Sequence, residues 1–307
     1  MSYNVENLFD DRDDGSEYSD YDPGEGTWNT PLYHAKLKNI SEAIRATGNG
    51  GPDICLLQEV ENERVVTDLL EGHLNVLKYR HAITAPKNQS ATTVALLSRY
   101  RPRAVFAHSV HLDGGVPLRP ILEVWFDIHG DGVVVFNNHW KSKSGGARET
   151  EIYRRAAAGF IRERVASLAE ERPDLCIVIA GDLNERVDEY AASGGEYPTA
   201  LMIGDTGAGG TLRLTGSWVE AAAGSSLLFS PWLDTTFRGS YAYAGNWEKI
   251  DHFLIAGASE GTGFLYSGFE VIADEFLLDR DGYPRRWSTR TADGYSDHLP
   301  ILLEMKR

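Results

Sequence analysis

Cysteine, methionine and positive charge are scarce in this chain, and long apolar runs are missing altogether. Of 307 residues only two are cysteine and three are methionine. Cys55 and Cys176 each sit inside an apolar, strand-like run, which reads as two buried free thiols rather than a disulfide framework. The redox compartment is left open. No apolar stretch approaches the roughly 20 residues that span a bilayer, so stable membrane insertion is not expected. Met1 leads straight into Ser2-Tyr3-Asn4 without the pattern of a secretory leader; localisation is undetermined, and export stays open if a leader is missing from the chain. Lysine and arginine number 30 against 45 aspartate and glutamate, a formal charge of −15. That balance argues against a surface that coats nucleic acid broadly, but it leaves room for a local phosphate cleft in which a divalent cation supplies positive charge. Also absent are a glycine-rich phosphate loop, a Gly-x-Ser-x-Gly elbow and a dinucleotide fingerprint. Kinase, serine-hydrolase and dehydrogenase chemistry therefore lose support.

What the chain does have is a series of apolar strands that end in polar residues. At 42% hydrophobic and 24% charged, it is long enough to bury a substantial core. Leu175-Cys176-Ile177-Val178 reads as a buried strand running into Ile179-Ala180-Gly181-Asp182-Leu183-Asn184-Glu185. Positions i and i+2 of an extended segment share a face, so Asp182 and Asn184 leave the strand end together, an anionic acceptor beside a carboxamide. By itself an Asp-x-Asn here is as readily a turn or a helix cap. The pattern recurs, however. Residues 2–9 predict a strand offering Asn4 and Glu6, and residues 53–60 deliver Gln58 and Glu59. Residues 133–140 end in Asn138-His139-Trp140, residues 249–255 carry Asp251-His252 near their start, and Ser296-Asp297-His298 precedes a final strand.

Helices are expected from Thr30-Pro31 to about residue 44, at about 62–70 and at about 148–170, with strands at 93–98, about 104–109 and 121–128. The helix between the strands ending near His139 and Asp182 implies that those strands run parallel. Strands usually have about five residues, yet little chain precedes Asn4, which suggests a first strand clipped by a misplaced start. Sequencing the upstream reading frame tests this; finding no coding extension there refutes it. Residues 10–25 set eight carboxylates against Arg12 alone. Their spacing matches no calcium-loop signature, so they read as a solvated loop. Residues 185–247 are the least regular, glycine-rich at 204–210 and carrying Trp232, Phe237, Tyr241, Tyr243 and Trp247. They read as long insertions on a single domain of residues 1–307, with the aromatics as either loop packing or a substrate platform.

In sheets with helical crossovers, strand ends converge on one rim. The polar groups gathered there are carboxylates and carboxamides, with no cysteine cluster and no zinc-type histidine spacing. Hard oxygen ligands favour magnesium, manganese or calcium, and two histidines remain for proton transfer. The window 141–155 holds five Lys/Arg and two Glu. Arg119, Lys141 and Lys143 are thus candidate phosphate anchors, weighed against being ordinary surface cations.

Taken in order, Tyr3-Asn4-Val5, Leu57-Gln58-Glu59, Asn138-His139-Trp140, Gly181-Asp182-Leu183-Asn184, Ile250-Asp251-His252-Phe253 and Ser296-Asp297-His298 resemble the motifs of the endonuclease/exonuclease/phosphatase superfamily, over the whole chain. The likeness is greatest to bacterial endonuclease-like members. It implies an α/β fold of the DNase I type, a four-layer sandwich of two packed mixed β-sheets flanked by helices. It also implies metal-dependent hydrolysis of phosphoric esters, with Mg2+ as the ion and Mn2+ or Ca2+ as alternatives. Under the resemblance Glu59 matches the principal metal-binding glutamate, Asn4 the asparagine that supports the metal, and Asp297 a further acidic position near it. Asp182 and Asn184 match the pair that orients the attacking water and contacts the scissile phosphate. His298 matches the terminal histidine, Asp251 its carboxylate partner, and His139 the histidine of the DNase branch. Glu6 and Asn7 stand behind these. Two departures matter: no partner carboxylate is found for His139, and the basic helix insertions with which repair enzymes grip duplex DNA are missing, which speaks against abasic-site cleavage.

Three functions follow. The first is a nuclease with DNA or RNA as substrate and little sequence preference. The second is a phosphatase or phosphodiesterase on a lipid or sugar phosphate, inositol-phosphate or sphingomyelinase-like. Pro231-Trp232-Leu233-Asp234 matches the Trp-Cys-Asp-Arg signature of the inositol branch only in part. The third is a non-catalytic scaffold, disfavoured because every matched position keeps the expected residue type. No protein partner is suggested.

Overall fold

The computed structural model describes residues 1–48, 50–112, 117–204, 211–222, 226–257 and 263–307. Its first strands are β1 (Ser2–Leu8), β2 (Ile54–Val60), β3 (His81–Thr84), β4 (Thr93–Ser98), β5 (Pro102–His108) and β6 (Ile121–Ile128). Then come β7 (Asp131–His139), β8 (Cys176–Asp182), β9 (Leu201–Ile203), β10 (Leu212–Thr215) and β11 (Leu227–Phe229). The last are β12 (Tyr241–Tyr243), β13 (Asn246–Glu248), β14 (Asp251–Ala256), β15 (Leu265–Val271) and β16 (Ile301–Lys306). One sheet has the order β15-β16-β1-β2-β4-β3, a second β5-β6-β7-β8-β14-β11-β10-β9, and β12 and β13 form a separate hairpin.

The two large sheets pack face to face, with β1, β2 and β4 against β6, β7, β8 and β14. Helices α1 (Thr30–Ala46) and α2 (Glu63–His73) pack together beside the first sheet, α1 against β1 and α2 against β3. Helix α3 (Glu151–Glu171) covers the second sheet, where Arg164 reaches Glu123 of β6. The result is the expected sandwich of two mixed sheets flanked by helices. Covering on both sides explains the sequence of the central strands: β8 and β14 are buried at every residue, so they read as near-continuous apolar runs rather than alternating ones. Edge strand β5 is the contrast, with no buried residue and more than half of its length exposed.

At the centre of each sheet lies a parallel pair joined by a helix, and β9, β10 and β11 are parallel to one another at the far edge of the second sheet. β1 and β2 flank α1, and β7 and β8 flank α3. Parallel strands bring their carboxyl ends to the same edge, so the polar residues after β1, β2, β7 and β8 share one rim of the sandwich. At the opposite end, near Met1, Pro52, Val133 and Cys176, lies a cavity of about 620 Å³, away from those polar ends.

Three expectations change. Residues 185–247 are more regular than their composition suggests: β9, β10 and β11 continue the second sheet beyond β14. Strands of three or four residues show too little alternation to be read from sequence. For the same reason β3 is missed, as is β15, whose alternation is blurred by partial exposure. Of the glycine-rich stretch, 205–210 lie outside the described residues. The acidic segment 10–25 is tethered rather than merely solvated. Arg64 bridges Asp10 and Asp11, Lys87 holds Asp14, and the Trp28 indole donates to the Asp10 carbonyl at 2.6 Å.

Glu123 gives the fold a measurable acid sensitivity. Its carboxylate is out of solvent, accepting both Arg164 donors at 2.8 and 2.9 Å, the Trp125 indole at 2.5 Å, and facing His108 Nε2 at 2.7 Å. Burial opposes ionisation, but the bonds from Arg164, His108 and Trp125 prevail and its pKa falls to about 2. An unfolded glutamate titrates near about 4.3. The stabilisation is therefore present above that value and is lost as pH falls from there towards the folded pKa. Urea denaturation at about pH 7 and about pH 3 should show a larger loss for the wild type than for Glu123→Gln, and equal losses would refute the assignment. No helix among the described residues is long and apolar enough to cross a membrane.

Candidate active site

Register places the site. Asp182 at the end of β8 lies opposite His139 on β7 and Asp251 on β14, so the three form a cross-strand row. Gly181 makes this row possible. It sits at φ +128°, and a Cβ there would fall 2.0 Å from the Asn138 carbonyl oxygen of β7. Only glycine tolerates that conformation and approach. Across the seam, the first sheet contributes Asn4 and Glu59.

Both strands of the first sheet break register here, β1 between Asn4 and Leu8 and β2 between Gln58 and Val60. Such bulges re-aim side chains. Gln58 turns into the core to donate to Asn137 Oδ1 at 2.7 Å, while Glu59 adopts φ 63° and faces the rim. Of nine non-glycine residues with positive φ among those described, Glu6, Asn7, Glu59 and Asn184 belong to this site. Each such residue costs roughly 1–2 kcal/mol, a strain typical of functional sites.

Asn4 ties the two sheets together. Its Nδ2 donates to Glu59 Oε1 at 3.1 Å and to Asp182 Oδ2 at 3.0 Å, and its Oδ1 accepts the Glu6 amide at 3.0 Å. The Asn7 amide holds Glu59 Oε2 at 2.9 Å. Asp182 Oδ1 accepts the Asn184 amide at 2.9 Å, and the Asn184 carboxamide donates to the Trp140 carbonyl at 3.2 Å. His139 Nε2 stands 3.6 Å from both Glu59 and Asp182. Its Nδ1 is buried without a hydrogen-bond partner, in line with the missing partner carboxylate.

His298 is held on its far side by Asp251, Nδ1 to Oδ2 at 2.8 Å, and the same oxygen accepts Ser240 Oγ at 2.6 Å. Its Nε2 looks towards Asp182 at 3.8 Å and Asp297 at 4.0 Å. Ser296 fixes the backbone, donating to the Asn4 carbonyl at 2.7 Å and accepting the His298 amide at 3.1 Å. The ring of Tyr241 lies over the imidazole, centroids 4.6 Å apart.

The electrostatics follow from burial. Burial alone disfavours a charged His298, but Asp251, then Asp182 and Asp297, hold its pKa well above the usual range. His139 has no such partner; burial, then Arg119, His298 and Lys141, keep it neutral far below its ordinary pKa. Burial drives Asp182 up to about 7, His298 opposing and Asp251 adding to it. Carboxylates outnumber the charges that offset them, and their oxygens are hard donors, so the residues fit a divalent cation. Asp182, Asp251 and His298 lie close enough to be considered as its cage. Yet the imidazole Nδ1 is already taken by Asp251, whereas the Glu59 side chain is 19% exposed towards the rim. The Glu59 carboxylate is thus the more open of these oxygen donors.

Eight of the eleven residues singled out from the sequence thus meet at one rim: Asn4, Glu59, His139, Asp182, Asn184, Asp251, Asp297 and His298. Arg119 and Lys141 flank His139; Arg119 reaches the Trp140 carbonyl at 3.4 Å. Lys143 does not join them, because its amine is bound by Glu189 at 2.5 Å and faces Glu248 at 3.8 Å. The basic window 141–155 is likewise partly structural, with Arg154 fully buried. Sequence reading also missed how much Glu6 holds. Its carboxylate accepts Arg286 Nε and the amides of Trp287 and Asp297. Lys36, wholly buried, donates to the Glu6 carbonyl and lies over Tyr21 and Trp287. The signal for Lys36 was its place on the apolar stripe of α1 between Tyr33 and Ile40. Ser240 and Ser296 carried none.

Solved structures of other proteins share this fold. In fold the chain is similar to the mannosyl-6-phosphatase Bt3783 of Bacteroides thetaiotaomicron, at 14% identity and TM-score 0.59, covering 99% of this chain and 97% of that one. It is also similar to truncated TDP2 of Caenorhabditis elegans, at 17% identity and TM-score 0.55, covering 87% and 90%. The third is D. rerio TDP2 complexed with a single-strand DNA product, at 14% identity and TM-score 0.55, covering 89% and 92%. No curated protein matches the sequence. The model of the endonuclease/exonuclease/phosphatase family matches residues 1–195, more than half of the chain and four of the six strand-end motifs, and the chain belongs to that family of phosphoric ester hydrolases.

Proposed function

We propose that the chain is a divalent-metal-dependent nuclease that hydrolyses DNA or RNA phosphodiesters with little sequence preference. The observation that carries the reading is His298, pinned through Nδ1 by Asp251 and presenting Nε2 to Asp182 across a rim that also holds Glu59. In-line displacement at phosphorus builds negative charge on the equatorial and leaving oxygens. A magnesium ion held by Glu59, with Asp297 nearby, supplies electrophilic stabilisation of that charge when bound.

The chain's own residues do the rest. Asp251 fixes the His298 tautomer and orientation, so that Nε2 is the atom that exchanges a proton with the attacking water. Asp182 and Asn184 position that water and the scissile phosphate, while Asn4 keeps Asp182 and Glu59 at a fixed separation. His139, kept neutral, stands on the leaving-group side with Arg119 and Lys141 as phosphate anchors. Lys143 is left out of this set because Glu189 occupies it.

A second reading, a sugar-phosphate phosphatase, is supported by the fold likeness to the mannosyl-6-phosphatase over nearly the full length of both chains. Purified protein given plasmid DNA, RNA, a phosphomonoester panel and sphingomyelin separates the two. The expected result is nicking in magnesium that EDTA abolishes and excess magnesium restores. Nicking that survives chelation would remove the metal from the reading, and phosphomonoester release without nicking would establish the second one.

A further inference from the structure

The β12–β13 hairpin is fastened at both ends, at its base to the site itself. At its base Ser240 donates to Asp251, the Leu299 amide donates to the Ser240 carbonyl, and Tyr241 covers His298. Its tip is a two-residue turn, Ala244 at φ 49° and Gly245 at φ 77°, the left-handed pair that a tight hairpin requires. The tip is pinned from the side by Tyr283, whose hydroxyl donates to the Gly245 carbonyl at 2.9 Å and whose ring packs on Trp247 at 5.7 Å. Of the aromatic series, Trp232 is buried and donates to the Asp251 carbonyl, and Phe237 packs on Phe269. Tyr243 is different: it is 66% exposed, and no ring contact involves it among the described residues.

Tyr241 and Tyr243 are two positions apart on one strand and so share a face. That face is the one turned to the site, because the Tyr241 ring packs over His298, tilted by 34°. A strand rises about 3.3 Å per residue, which sets Tyr243 roughly 7 Å beyond the ring that covers the proposed proton-transfer group. An exposed, rigidly mounted ring at that offset suits the base of a nucleotide next to the scissile phosphate. Base–aromatic stacking is tolerant of sequence, since every base has a π-face.

We infer that Tyr243 is a stacking platform for an unpaired nucleobase adjacent to the scissile phosphate, making single-stranded nucleic acid the preferred substrate class. This rests on the nuclease reading above and deepens it. A base held in a duplex cannot present its face to the ring, so the contact selects single strands.

The test uses the full chain with Tyr243→Ala and Tyr243→Phe, and a fluorescein-labelled oligo-dT, single-stranded or annealed to oligo-dA. Cleavage of the single strand by Tyr243→Ala should show KM raised about tenfold with kcat unchanged. Tyr243→Phe should restore KM, and the duplex should be insensitive to both. Anisotropy of the labelled single strand on Asp182→Asn protein, with and without Tyr243→Ala, should show the same roughly tenfold loss in affinity without any turnover. Cleavage with an unchanged KM, or equal effects on single strand and duplex, would overturn the platform while leaving the nuclease reading intact. No binding of the oligonucleotide together with magnesium-dependent turnover of a hexose phosphate would overturn both.

Discussion

His298→Ala should lower kcat for nucleic-acid cleavage by about 10²- to 10⁴-fold, the span over which a positioned acid–base group contributes. KM should change little, because the imidazole exchanges a proton in the transition state rather than holding the substrate in the ground state. Asp251→Asn should cost a similar factor although it leaves His298 in place. A carboxamide at that position no longer enforces the tautomer with the free electron pair on Nε2, nor offsets a developing imidazolium. The two changes act on one unit, so the double variant should be scarcely worse than either single one. The pH profile adds a sign. Asp251 holds the imidazole charged well above its usual range, and the proton-accepting form exists only above that pKa. Asp251→Asn should therefore move the acidic limb of kcat to lower pH. Full additivity, or a limb that moves upward, would count against the assigned pair.

The largest stability effect is expected behind the site, at Arg154. This side chain is completely buried and donates to Glu185 at 2.6 Å, to Glu151 at 2.6 Å, to Thr150 at 3.0 Å, and to the carbonyls of Ala147 at 2.7 Å and Lys141 at 3.1 Å. It thereby joins α3 to the segments that follow His139 and Asp182. Arg154→Met matches its bulk but strands two carboxylates out of solvent. Glu185 is already pushed well above the carboxylate range by burial and by Glu151, with Arg154 opposing. Breaking a buried pair from one side costs about 3–5 kcal/mol, which for a chain of this size corresponds to a fall in Tm of about 5–8 °C. Adding Glu185→Gln should recover part of that loss, since the unpaired charge is the source of the penalty. Calorimetry of the wild type and the two variants decides the matter; a shift of a degree or two would show the network to be dispensable.

The sequence by itself determined a good deal. Apolar runs ending in Glu59, His139 and Asp182 located three central strands, the alanine-rich run after the basic window located α3, and the order of six polar motifs indicated the family and its two-sheet sandwich. These features are legible because they are local: branched apolar residues mark buried strands, and a carboxylate directly after one is conspicuous. Tertiary structure decided the rest. That Asp182 faces His139 and Asp251 is a matter of strand register, and register depends on pairing between segments far apart in the chain. That Glu59 turns to the rim while Gln58 turns inward depends on a bulge, a displacement of one residue that composition does not signal. Lys143 and Arg154 have the same local charge as Lys141, yet Glu189 and Glu185, some thirty or more residues away, remove both from the rim. The short strands β9 to β13 take their form from neighbours rather than from their own few residues. One of them brings Tyr241 over His298 and leaves Tyr243 exposed beside it. Strand-end polarity therefore gave the ingredients of the site, and long-range pairing alone gave their geometry.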